Sequence, residues 1–92
     1  MKNSVDFLAS SQGKIVAIFK SGWCQPCKML TKIIEEHPPA INVVEVDIDE
    51  HAELAQSYNV RGVPTLIIFN NGKEEKRTVG MLNKEKLEEF VK

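Results

Sequence analysis

An excess of charge of either sign is missing from this sequence. Twelve Lys and Arg stand against thirteen Asp and Glu in 92 residues, a formal net charge of −1. No basic footprint for nucleic acid or for a membrane surface is present, so neither partner is expected. Long hydrophobic runs are also missing. The longest apolar stretches are about five residues, against the roughly 20 that a membrane-spanning helix needs. The opening residues, MKNSVDFLASSQGK, lack a long apolar segment and carry an early Asp6. They do not read as a secretory signal, and the expected location is the cytoplasm. The G-x-G-x-x-G pattern of a dinucleotide site is absent, so no bound nicotinamide or flavin is expected. Repeats, linkers and low-complexity segments are absent as well. Cysteine is scarce: two residues, Cys24 and Cys27. In a reducing compartment a disulfide is more often catalytic than structural.

What is present suits one α/β domain over residues 1–92. A chain of this size buries roughly 60–65% of its unfolded surface. SVDFLASSQ reads as a short helix capped by Ser4, with Val5, Leu8 and Ala9 at helical spacing, ended by Gly13. KIVAIF, 14–19, is a continuous β-branched run that suits a strand covered on both faces. Pro26 belongs in the first turn of a helix, so a helix is predicted from about Gln25, with Leu30, Ile33 and Ile34 as its apolar stripe. HPPA ends it. INVVEVDI, 41–48, is a second strand. Asp49 is placed to cap a helix over EHAELAQSY. PTLIIF, 64–69, is a third strand, NNG a hairpin turn, and KEEKRTV a fourth strand at an edge. Asn83 caps a last helix that buries Leu87, Phe90 and Val91. The strand–helix–strand start implies a parallel pair with a right-handed crossover, and the hairpin implies antiparallel neighbours. The expected fold is a mixed four-stranded sheet with helices on both faces.

Cys24 follows a buried strand and sits where a helix begins. Unpaired backbone N–H groups and the helix dipole favour an anion there, so its thiol is expected to ionise below the free value of about 8.5. Cys27 lies one turn on, on the same face. A bridge between them closes a tiny loop and adds little folding stability, so the spacing suits chemistry better than stapling. Other readings remain open at this point. The pair could be small buried apolar residues. A metal is another reading, but structural zinc takes four ligands, and His37 and His51 lie near loops far from the pair in sequence. An iron–sulfur cluster shared by two chains is a third.

Together, WCQPCK, VDIDE, YNVRGVPTLIIFNNG and VGMLNKEKLEEFV resemble the thioredoxin family, over nearly the whole chain from Lys14 to Lys92. A C-x-x-C pair after a strand, with Val-Pro-Thr further on, is a specific combination. The resemblance implies the thioredoxin fold and a thiol–disulfide oxidoreductase that reduces disulfides in other proteins. It makes Cys24 the exposed nucleophile and Cys27 the more buried resolving thiol. No cofactor is bound; an external reductase restores the dithiol. Trp23 forms an apolar wall beside the site, with a core tryptophan as the alternative reading. Gln25 fills the variable position, and Pro26 shapes the turn. The resemblance makes Pro64 a cis proline beside the cysteines, with the Val63 backbone pairing an extended substrate segment. Gly62, Thr65 and Gly80 line the substrate groove. Lys28 reads as an exposed helix lysine, and Arg61 receives no role.

Three departures follow. Gln25 stands where the family's reductases have glycine, which bears on redox potential. Ile18 stands where the family has a buried aspartate, six residues before Cys24. Glu45 is a candidate base in its place, on the premise that it is desolvated beneath the site. The N-terminus has room for a helix but not for the family's extra edge strand. Two competing functions are a glutaredoxin-like or dedicated reductant of one target, and a binding module without turnover. Glutathione sites use cationic side chains around the groove, and the sequence places none. A scaffold has no use for both cysteines. A monomer is expected.

Overall fold

The apolar run at Lys14 forms β1 (Lys14–Lys20), and it lies in the middle of the sheet. The computed structural model describes residues 7–92. From β1 the chain passes through α1 (Gln25–Glu36), β2 (Asn42–Asp47), α2 (Ala52–Ser57), β3 (Thr65–Asn70), β4 (Lys73–Val79) and α3 (Lys84–Phe90). The strand order is β2-β1-β3-β4, with β1 parallel to β2 and antiparallel to β3, and β3 antiparallel to β4. This is the mixed sheet that the sequence predicts.

Both central strands are apolar on both faces because both faces are covered. On one side Ile15, Ala17, Phe19, Ile67 and Phe69 pack with Leu54 and Ala55 of α2 and with Leu8. On the other, Val16, Ile18, Leu66 and Ile68 pack with Leu30 and Ile34 of α1 and Leu87 of α3. Ile18 thus fills an apolar layer. Asn83 caps α3 as predicted, its side-chain oxygen accepting the Lys86 N–H at 2.8 Å.

The hairpin follows from its residues. Asn71 and Gly72 have φ of 51° and 84°, the pair of left-handed conformations that a two-residue turn between twisted strands demands. A Cβ on Gly72 would also run into the Ala9 carbonyl. Gly72→Ala is therefore expected to lower unfolding free energy by about 1–3 kcal/mol. A urea midpoint that falls at unchanged slope is the reading; an unchanged midpoint refutes the turn argument. Beyond the turn, β4 is a charged edge. Its register slips between Ile68 and Phe69, and Arg77 pairs with Glu74. The Arg77 hydrogen bond holds the Glu74 carboxyl below its ordinary range. Charges and a bulge on an edge discourage further strand pairing.

Two expectations change. Ser4 and Val5 of the first predicted helix lie outside the described residues, as does any strand before it. Residues 7–10 form a turn instead of a helix: Ser11 donates both its N–H and its hydroxyl to the Leu8 carbonyl. Ala9 is exposed; buried Leu8 anchors this segment, and half-buried Phe7 packs against the same core with its ring edge-on to His51. The second change is at α2, which begins two residues later than predicted and has His51 at its N-cap, with no side-chain cap bond. Asp49 does not cap it. Asp47 organises this corner, its carboxylate accepting the Asp49 N–H at 2.8 Å and its carbonyl accepting from Glu50 and His51. An aspartate two residues earlier wins the competition for the local backbone donors.

Candidate active site

β1 delivers the chain to Cys24 through a short turn in which the Cys24 N–H donates to the Ser21 carbonyl at 3.4 Å. Cys24 is the N-cap of α1, with extended backbone. Its carbonyl accepts the Lys28 N–H, and its sulfur accepts the Cys27 N–H at 3.1 Å. Sulfur thus occupies the place where serine or aspartate usually caps a helix. Gln25 and Pro26 occupy the first two helical positions and are exposed. Proline removes a donor that would have gone unused there. No acidic residue lies in the first turn, so the positive end of the helix is left to the sulfur.

Cys24 and Cys27 form a disulfide with Cα atoms 5.3 Å apart. The two residues are almost equally buried, at 4% and 3% exposure. The expected contrast between an exposed and a buried cysteine is absent from this oxidised form. Exposure is found beside them instead. Trp23 is 68% exposed, which rules out the core reading and leaves its ring as an apolar surface next to the disulfide.

The other wall comes from the loop before β3. The Val63–Pro64 bond is cis, as the resemblance implies. The Val63 carbonyl lies 3.7 Å from the Cys24 sulfur. In the disulfide that sulfur has no hydrogen to donate, so this is packing and not a hydrogen bond. Gly80 donates its N–H to the Pro64 carbonyl at 2.8 Å, with φ of 103°, and open space lies where its side chain would be. Gly62 sits beside Val79, close enough that an added Cβ would touch the valine side chain at 3.5 Å. Thr65 is not part of a groove surface. It is buried, and its hydroxyl donates to the Gly62 carbonyl at 2.6 Å, so it fixes the loop from beneath. Val79 and Met81 are exposed apolar residues on either side of Gly80. A valine ending a strand and a methionine after it carry no local signal in the sequence.

Glu45 is not desolvated. Its side chain is 43% exposed and is ion-paired with Lys20. It shares a register with Ile18 but sits on the outer strand β2, where the sheet ends and water begins. The premise of a buried base at this position fails.

A cleft of about 330 Å3 opens behind Cys27, lined by Lys20, Ser21, Gly22, Lys28, Thr31 and Asp47. The sequence carries one signal of it. Parallel strands end at the same edge of a sheet, where α/β folds place their ligands, and Asp47 is in register with Lys20. Among the described residues no group of His, Cys, Asp and Glu could hold a metal ion.

This geometry has counterparts among known proteins. The family model described as Thioredoxin matches residues 2–92. The thioredoxin of Chlamydia trachomatis is 39% identical, over 98% of this chain and 89% of its own. That of Bacillus subtilis is 36% identical, over 89% and 83%. A variant thioredoxin from Halobacterium salinarum superposes with a TM-score of 0.82 at 34% identity, over 94% of this chain and 78% of its own.

Proposed function

This chain belongs to the thioredoxin family and is a thiol–disulfide oxidoreductase of the disulfide-reducing type, and from that premise we propose that Cys24 is its nucleophile and Cys27 its resolving thiol. The observation that carries the assignment is the Cys27 N–H directed at the Cys24 sulfur across the first turn of α1. On reduction, that donor and the helix end favour the Cys24 thiolate. The thiolate attacks one sulfur of a substrate disulfide; the other leaves as a thiolate and takes a proton. Cys27 then loses its proton and attacks the Cys24 sulfur. The bond between Cys24 and the substrate breaks, and its electron pair leaves with the substrate sulfur that Cys24 had attacked, which then takes a proton. The products are a dithiol substrate and the 24–27 disulfide.

The substrate enters as an extended segment along the Val63 backbone, beside Trp23, with Gly62 and Gly80 allowing close approach. Val79 and Met81 add apolar rim. Electrons come from an external reductase, with no bound cofactor. Disulfide-containing proteins are the substrates, and the protein works as a cytoplasmic monomer. Among the described residues no helix is long and apolar enough to cross a membrane.

Insulin reduction tests the reading. With dithiothreitol, and again with a thioredoxin reductase and NADPH, catalytic amounts are expected to speed insulin precipitation. Activity with dithiothreitol but no coupling to the reductase points to a dedicated reductant; inactivity in both arms refutes the reductase assignment.

A further inference from the structure

The resolving step needs an acceptor for the Cys27 proton, and the buried side of the disulfide offers none in the apolar layer, where Ile18 packs against Leu30. The cleft behind Cys27 does. We propose that this cleft is the proton route of the resolving thiol, with Asp47 as terminal acceptor and the Ser21 hydroxyl as relay, both acting through water. The inference rests on the functional reading above.

Three observations support it. First, Cys27, Ser21 and Asp47 line one cleft, whose volume of about 330 Å3 holds several waters at roughly 30 Å3 each. Second, Ser21 is 4% exposed and its hydroxyl has no hydrogen-bond partner among the described residues. A buried hydroxyl without a partner costs about 1–3 kcal/mol, a cost that a water in the adjoining cleft removes. Third, Asp47 is held in place. It pairs in register with Lys20, and the next residue, Ile48, donates its N–H to the Lys20 carbonyl at 2.9 Å. The Asp47 backbone is therefore fixed beside the turn that starts at Ser21; one carboxylate oxygen accepts the Asp49 N–H at 2.8 Å, and the residue lines the cleft. The other charged groups facing the cleft are Lys20, from β1, and Lys28, from α1. Neither lysine, as an ammonium, can accept a proton. Lys20 is already engaged by Glu45. Asp47 is the one carboxylate among the lining residues.

The proton balance is simple. Cys27 gives its proton to the water chain, the chain delivers one to the Asp47 carboxylate, and the Cys27 thiolate attacks the Cys24 sulfur. When the reductase reopens the disulfide, Cys27 leaves as a thiolate and is reprotonated along the same path. Asp47 touches no reacting atom and acts only through the relay.

The test follows the two steps separately. Reduced protein is mixed with an aromatic disulfide that releases one coloured thiolate when Cys24 attacks and a second when Cys27 resolves. In Asp47→Asn the second phase is expected to slow about tenfold or more near neutral pH, with the first phase unchanged and the pH profile of the second displaced upward. Asp47→Glu restores most of the rate. Ser21→Ala slows the second phase severalfold and serves if the Asp47 variants fold poorly. A second phase within twofold of wild type in both Asp47→Asn and Ser21→Ala overturns the proposal, and so does equal slowing of both phases. Absence of both phases in the wild-type protein instead overturns the underlying reading.

Discussion

Cys24→Ser is expected to lose disulfide reduction by on the order of a thousandfold or more, and Cys27→Ser to stop one step later. A serine hydroxyl at the helix end keeps the cap, since its oxygen can accept the Cys27 N–H. The structure of the site therefore survives while its nucleophile does not: an alcohol stays protonated where a thiol ionises. In Cys27→Ser the first attack proceeds, but nothing displaces the substrate from Cys24. A covalent adduct should accumulate, with the mass of protein plus substrate, and should fall apart in dithiothreitol. Insulin kinetics and intact-mass measurements read the two variants. Substantial residual turnover in Cys24→Ser, or adduct formation through Cys27 when Cys24 is intact, reverses the assignment.

Phe69→Ala is expected to have the largest effect on stability. Phe69 lies in β3, is fully buried, and faces Ile15 across the sheet. Its ring meets Tyr58 edge-on, with centroids 5.2 Å apart, and the same layer holds Phe19, Leu8 and Leu54. Truncations of this kind cost about 3–5 kcal/mol, against a total of roughly 5–14 kcal/mol for 92 residues. Thermal unfolding should fall by on the order of 20 °C. The site lies at the opposite end of β3, so the fraction that remains folded should reduce insulin at the wild-type rate. A loss below about 1 kcal/mol contradicts the packing described.

Local chemistry made most of the fold readable. β1 declares burial on both faces through five consecutive apolar residues, and Asn71-Gly72 specifies its own turn. Pro26 marks the start of α1 because a proline can sit in a first turn but not further in. The misreadings share another origin. Asp49 and Asp47 both cap well in principle, and only the path of the chain decides between them. Glu45 follows the alternation of β2 correctly, but alternation does not say where a sheet edge meets water. Thr65 reads as a groove residue in sequence, yet it is buried and its hydroxyl donates to the Gly62 carbonyl. The cleft belongs to no segment. It arises from the parallel register of β1 and β2, and Cys27, Ser21 and Asp47 meet only once that register exists.

The sulfur that caps α1 ties the oxidation state of the protein to the firmness of one amide. A thiolate draws the Cys27 N–H strongly, while a bridged sulfur does so weakly. Hydrogen exchange at that single position thus reports whether the chain is charged with electrons or spent, without any added dye. The helix entrance doubles as a gauge of the reservoir it serves.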